Sequence, residues 1–116
     1  MATELERPQR LAILIDADNA SPRTAAAIFE EIATIGEASA RRIYGDFSGT
    51  RLKGWTEVTA TYAIIPQQNF ANTVGKNASD IALVIDAMDL LHSGRFDGFC
   101  LVSSDGSVAK IGGSQR

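Results

Sequence analysis

The first candidate for chemistry is an acid that directly follows an apolar run. Leu11–Ile15 contains five consecutive apolar residues, and Asp16 comes immediately after them. Such a run predicts a strand buried on both faces, as in a parallel sheet. Ligands of open parallel α/β sheets bind beyond the carboxyl ends of the strands. Asp16 is therefore a candidate for a metal or phosphate site.

A structural interpretation competes for the residues just after Asp16. Asp18, Asn19 or Ser21 could cap the helix that Pro22 begins. Asp16 lies too far upstream to cap that helix, so the capping interpretation does not account for it.

Two further acids are predicted to lie near Asp16. Asp105 follows the apolar run Gly98–Val102 after two serines, and Asp80 lies near the start of a patterned helix. The carboxyl ends of parallel strands lie on one side of a sheet, so Asp16 and Asp105 would be neighbours if their strands pair. Asp80 would reach the same rim. Clustered carboxylates repel one another unless a cation lies between them, and hard oxygen donors suit Mg²⁺ or Mn²⁺. Such a metal can activate water and polarise a phosphoryl group.

The elements that must position these acids alternate between strands and helices. The predicted strands are Leu11–Ile15, Ala38–Tyr44, Thr61–Ile65 (ended by Pro66) and Gly98–Val102, and the predicted helices are Arg23–Ile35, Leu52–Ala60 and Asn77–Leu91. This order predicts an α/β fold, a three-layer parallel sheet with helices on both faces.

The third helix has the strongest apolar pattern of the chain. We predict that its stripe forms core, and the stripe consists of Ile81, Val84, Ile85, Met88 and Leu91. Asp86 and Asp89 lie outside that stripe, so we expect both to be solvated.

The composition restricts the classes of protein to which this chain can belong. With 116 residues, 45% of them hydrophobic and 22% charged, the chain fits one globular domain. We expect a flexible lead over residues 1–9 and a single domain over 10–116. The net charge of −3 argues against a broad basic surface for nucleic acid. No apolar run approaches the ~20 residues of a membrane span. The single cysteine, Cys100, lies in an apolar run and fits a reducing, cytoplasmic setting.

Other residues suggest contacts with a phosphate or a base. Lys76 lies four residues before Asp80 and could touch a phosphate, although a solvated lysine is the commoner role. Trp55 and Phe70 could stack on the bases of a single strand. Trp55 at helical spacing is, however, more typical of a core residue.

Three motifs in this order resemble the NYN domain, a PIN-like, metal-dependent ribonuclease fold of DUF88-type bacterial proteins and of eukaryotic RNA-processing proteins. They are Ile-Asp-Ala-Asp-Asn at 15–19, Gly-Lys-Asn-Ala-Ser-Asp at 75–80 and Leu-Val-Ser-Ser-Asp at 101–105. The resemblance implies that Asp16, Asp80 and Asp105 are catalytic and bind Mg²⁺ or Mn²⁺. It implies substrate-binding roles for Asn19, Lys76 and Ser104, and hydrolysis of phosphodiester bonds, with single-stranded RNA as the substrate.

The third motif departs from the family pattern. The family usually continues with a further acid, a helix and a last strand, but here the position of the fourth acid is Ser107. This departure predicts an incomplete C-terminal helix and last strand. It also predicts an open sheet edge, which would favour pairing with a second chain as a homodimer.

Two other functions remain open at this point. The change at Ser107 favours an NYN-fold module that binds RNA or dimerises with weakened catalysis. The pair Asp16 and Asp18 also resembles the opening of haloacid-dehalogenase-type phosphatases, in which Asp16 would be a nucleophile. That family has Thr or Val where this chain has Ala20.

Overall fold

The computed structural model describes residues 9–50, 52–68, 78–103 and 108–112, and the side chains within them except at 78–80 and 108–112. The strands are β1 (Gln9–Asp16), β2 (Gly36–Gly45), β3 (Ile65–Gln68), β4 (Gly98–Val102) and β5 (Val108–Gly112). The helices are α1 (Ala25–Ile35), α2 (Trp55–Thr61) and α3 (Ala78–Ser93), and a short 3₁₀ turn (Pro22–Thr24) precedes α1.

The strands form one sheet in the order β3-β2-β1-β4-β5. The first four strands of this order are parallel, and β5 runs antiparallel to β4. Helices pack on both faces, because α1 and α2 contribute to one apolar cluster and α3 to another. The predicted α/β architecture with a parallel sheet is confirmed.

The central strand β1 is buried on both faces, as the apolar run predicts. Leu11, Ile13 and Ile15 belong to the larger cluster, with α1 and α2, whereas Ala12 and Leu14 belong to the smaller one, with α3. Because side chains alternate along a strand, Asp16 lies on the α3 side.

The first predicted helix is confirmed with a different beginning. Pro22–Thr24 forms a 3₁₀ turn, and the α-helix starts at Ala25. It ends at Ile35, and Gly36 begins β2 directly. A Cβ atom at Gly36 would lie 2.5 Å from the carbonyl oxygen of Gln9, so the close approach of β2 to β1 requires glycine there.

The predicted third strand is wrong in position. Thr61 ends α2, the chain turns at Ala63 with a φ of 55°, and the strand runs from Ile65 to Gln68. Pro66 lies inside this strand and does not end it. Among the described strands β3 is at the edge of the sheet and pairs with β2 alone, so the missing N–H of a proline is tolerated.

The predicted core stripe of α3 is also wrong. Leu83 and Leu90 are the buried residues of this helix, and Ala82 and Ala87 pack beside them. The predicted stripe is roughly half exposed, with exposed fractions of 46–56% for Ile81, Val84, Ile85, Met88 and Leu91.

The strand β5 was not predicted. Its residues pair with β4 from Gly98↔Gly112 to Val102↔Val108. The edge of β4 is therefore covered by β5 within the chain, and a homodimer stays a prediction. None of the helices within the described part of the chain is long and apolar enough to cross a membrane.

Candidate active site at the carboxyl edge of the sheet

Asp16 is the last residue of β1, at the centre of the carboxyl edge. Its side chain is 4% exposed, and it is the one buried charged residue among those described. A buried carboxylate is costly unless hydrogen bonds or a cation stabilise it. Asp16 therefore stays a candidate site residue, now with an observed buried position at the carboxyl edge.

Local hydrogen bonds fix the orientation of the Asp16 carboxylate. The Asn19 side-chain amide donates to Oδ2 at 2.7 Å, and the backbone N–H of Asp18 donates to Oδ1 at 3.2 Å. The Asp16 carbonyl accepts from the backbone N–H groups of Asn19 and Ala20 at 3.1 and 2.9 Å. The turn after β1 is thus built around Asp16.

Ser21 has the capping role that the sequence left open. Its hydroxyl accepts from the backbone N–H of Arg23 at 3.3 Å at the start of the 3₁₀ turn. Asn19 contacts Asp16 instead.

Two neighbouring strands end beside Asp16. Tyr44 of β2 pairs with Asp16, and its carbonyl accepts from the N–H of Ala17 at 2.9 Å. On the other side, Val102 of β4 pairs with Ile15. The chain therefore leaves β4 next to Asp16, and the first two residues of the third sequence motif, Leu101 and Val102, are the last two of β4.

The helix α3 begins at the same edge. It connects the parallel strands β3 and β4, so it runs antiparallel to them and its first turn lies at their carboxyl ends. Asp80 is the third residue of α3.

Asp86 is only partly exposed and takes part in hydrogen bonds, whereas the prediction had it fully solvated. The Tyr44 hydroxyl donates to Asp86 Oδ2 at 2.7 Å, and Arg42 Nη1 donates to the same oxygen at 3.2 Å. Tyr44 is fully buried, and burial raises the pKa of its hydroxyl well above the usual range. The hydrogen bond to Asp86 and the negative charge of that carboxylate raise the pKa further, whereas Arg42 lowers it.

Sequence reasoning missed this cluster of Arg42, Tyr44 and Asp86, because hydropathy places a charged helix residue in solvent. The cluster attaches α3 to β2 next to the strand end that pairs with Asp16. A tyrosine at the end of a predicted strand was the one available signal, because a buried tyrosine hydroxyl usually finds a partner.

Asp46 directly follows the end of β2. Its Oδ1 accepts from the backbone N–H of Ser48 at 3.0 Å and from Gln68 Nε2 at 2.7 Å. Gln68 Oε1 in turn accepts from the N–H of Phe47 at 2.9 Å. These bonds hold the loop after β2 against the end of β3.

The structure does not describe the side chains of the remaining predicted site residues. Lys76, Ser104, Asp105 and Ser107 are not among the described residues, and for Asp80 the backbone alone is described. Phe70 also lies outside. Among the described side chains, no three His, Cys, Asp or Glu residues lie together as a metal-binding group.

The parallel sheet with helices on both faces is consistent with an α/β PIN-like fold. The family model described as the NYN domain matches residues 10–111, and the chain belongs to this family. NYN and PIN-like nucleases generally depend on divalent metal, and NYN nuclease domains typically act on RNA. No curated protein and no solved structure matches the chain.

Proposed function

We propose that this chain hydrolyses phosphodiester bonds of single-stranded RNA with the help of Mg²⁺ or Mn²⁺. Asp16, Asp80 and Asp105 would bind the metal and carry the catalysis. The observation that supports this most strongly is the burial of Asp16 at the end of β1. A protein without use for a charge there would be expected to place an apolar residue at that position.

The topology supports a shared site for the three acids. The first turn of α3, which contains Asp80, belongs to the helix that packs on the face toward which Asp16 lies. Because Val102 of β4 pairs with Ile15 of β1, the segment with Asp105 would begin close to Asp16. In this proposal, three distant segments of the chain meet at one edge.

The donor chemistry of Asp16 fits a hard divalent cation. Carboxylate oxygens are the protein ligands that Mg²⁺ and Mn²⁺ prefer. Carboxylates that bind metals are themselves usually held by hydrogen bonds, as Asn19 and the N–H of Asp18 hold Asp16. When bound, the metal supplies a water molecule of lowered pKa and polarises the phosphoryl oxygen.

The other residues of the site would bind and orient the substrate. Asn19 holds Asp16 in place and lies at the exposed surface, where it can also approach the RNA. Lys76 and Ser104 would contact the phosphate groups. Cys100 is buried and is the single cysteine of the sequence, which accords with a reducing, cytoplasmic location.

Ser107 supports a second candidate function. It stands where the family usually has a fourth acid. With one carboxylate fewer, the chain would bind RNA and metal without efficient turnover. The match to the NYN family over residues 10–111 favours either of these candidates over a phosphatase in which Asp16 is a nucleophile.

The test is cleavage of end-labelled single-stranded RNA with Mn²⁺, with Mg²⁺ and with chelator. We expect metal-dependent cleavage that falls at least about a hundredfold in Asp16→Asn, because loss of a ligand should exceed the loss caused by its supporting residues. Asp18→Asn is the matched control, since it changes the neighbouring carboxylate. If the wild-type chain binds Mn²⁺ without cleaving and Ser107→Asp restores cleavage, the second candidate is correct. Equal cleavage by wild type and Asp16→Asn would contradict the assignment of Asp16.

A further inference from the structure

A cavity of about 320 Å³ lies between α2 and β3. Its lining residues are Phe47, Trp55, Thr56, Thr59, Pro66 and Gln68. Rings and methyl groups provide most of this lining, together with two hydroxyls and one amide. Sites for small organic groups usually combine apolar walls with a few polar groups and begin at about 300 Å³. None of these lining residues is charged, so the cavity suits a neutral, flat group better than a phosphate.

Trp55 forms part of the apolar wall of this cavity. Its side chain is 1% exposed, and its indole Nε1 is buried beneath the surface without a hydrogen-bond partner in the described part of the chain. A ligand in the cavity would therefore contact Trp55 as an apolar wall and would not reach its N–H group.

The rim of the cavity is held in place by hydrogen bonds. The Gln68 amide accepts from the N–H of Phe47 and donates to Asp46. These two bonds fix the Phe47 backbone relative to the end of β3. The wall opposite α2 is therefore organised before any ligand binds, which lowers the entropic cost of binding.

The cavity lies at the same edge of the sheet as Asp16. Asp16 pairs with Tyr44, and Tyr44 pairs with Gln67, the residue before Gln68. Adjacent strands are about 4.8 Å apart, so the end of β3 lies about 10 Å from the end of β1. The cavity is on the α2 side and Asp16 on the α3 side, so a strand of RNA that reaches both would cross the sheet edge.

We propose that the cavity between α2 and β3 binds one nucleobase of the RNA, close to the bond that is cut. This inference rests on the proposed function, because RNA is the ligand that supplies the base. A nucleobase has a flat apolar face for Phe47 and Pro66, and polar atoms at its edge for the hydroxyls of Thr56 and Thr59. The cavity would therefore make cleavage depend on which base is present at one position.

The intrinsic fluorescence of Trp55 tests this directly, because the chain has one tryptophan. The full chain is titrated with a short single-stranded RNA in the presence of chelator, so that no cleavage occurs. Matched RNAs each carry one abasic position. We expect the fluorescence to change with intact RNA, and one abasic position to weaken binding by about 5-fold to 100-fold, the range for loss of one stacked base.

A pair of variants on α2 provides the structural control. Thr56→Phe places a ring at the exposed lip of the cavity, and Thr61→Phe makes the same change at the exposed end of the helix. Thr56→Phe should remove the difference between intact and abasic RNA, and Thr61→Phe should keep it. Equal behaviour of the two variants would overturn the proposal, as would equal binding of intact and abasic RNA by the wild type.

The cleavage and fluorescence measurements together distinguish failure of the cavity proposal from failure of the proposed activity. If the chain does not cleave RNA and Trp55 still distinguishes intact from abasic RNA, the cavity proposal stands and the activity does not. If the chain cleaves RNA and Trp55 does not respond, the cavity proposal is overturned and the activity stands.

Discussion

The two faces of the sheet are covered in different ways. On one face, Ile28 and Ile32 of α1 and Trp55 of α2 are almost fully buried against β1 and β2. On the other, α3 buries Leu83 and Leu90, while its most apolar stripe remains roughly half exposed. The first face is held by apolar packing. The second combines limited apolar packing with the hydrogen bonds that Asp86 accepts from Tyr44 and Arg42. Mutations on the two faces should therefore lower the free energy of unfolding by different amounts.

The largest loss of stability should follow a mutation on the face covered by α1 and α2. Ile32 is 1% exposed and belongs to the larger cluster. Ile32→Ala removes buried methyl groups and leaves a cavity, which should lower the free energy of unfolding by about 2–5 kcal/mol. Urea denaturation followed by circular dichroism measures this. A loss below about 1 kcal/mol would contradict tight packing on this face.

An intermediate loss of stability should follow removal of the hydrogen bonds between Asp86 of α3 and β2. Asp86→Ala removes the acceptor of the buried Tyr44 hydroxyl and the partner of Arg42. An unpaired buried hydroxyl should lower the free energy of unfolding by about 1–3 kcal/mol. Asp89→Ala is the matched control, because Asp89 is exposed on the same helix. If the two variants lost equal stability, the cluster would have no role in attaching α3.

The sequence alone predicts the central strand and the parallel sheet, but it does not predict how α3 packs. The strand β1 was predictable because five apolar residues in a row fit a strand buried on both sides. The position of Asp16 at the carboxyl edge was predictable because this acid directly follows the apolar run, and its role in a site stays a prediction. The parallel order followed from the alternation of strands and helices.

The rotation of α3 could not be predicted from its hydropathy. The helix has apolar residues on more than one side, and the larger ones suggested the wrong stripe. The small side chains of Ala82 and Ala87 let the helix approach the sheet, and the bond from Tyr44 to Asp86 fixes its rotation. A pairing between a strand residue and a helix residue 42 positions apart is not visible in local sequence patterns.

A pH-dependent effect should follow from the raised pKa of Tyr44. In the unfolded chain the tyrosine ionises near pH 10, whereas in the folded protein it stays protonated at higher pH. Its contribution to stability is therefore complete below about pH 10 and is lost as the pH rises further. Chemical denaturation between pH 8 and pH 11 should show a steeper alkaline loss for wild type than for Tyr44→Phe. Parallel curves would contradict the raised pKa.

The smallest loss of stability should follow a mutation in the half-exposed apolar stripe of α3. Ile85 is 56% exposed, so Ile85→Ala should change the free energy of unfolding by less than about 0.5 kcal/mol. The same substitution at Ile32 provides the comparison on the packed face. A loss of 2 kcal/mol or more at Ile85 would mean that this stripe is covered, and would remove the difference between the two faces.

The central claim is that Asp16 helps to hold a divalent metal at the carboxyl edge of the sheet. The most direct test is calorimetric titration of Mn²⁺ into the wild-type chain, Asp16→Asn and Asp18→Asn, with thermal unfolding to confirm that all three are folded. The proposal predicts binding by the wild type and by Asp18→Asn, and at least about a tenfold weaker binding by Asp16→Asn. Equal affinities of wild type and Asp16→Asn would contradict it.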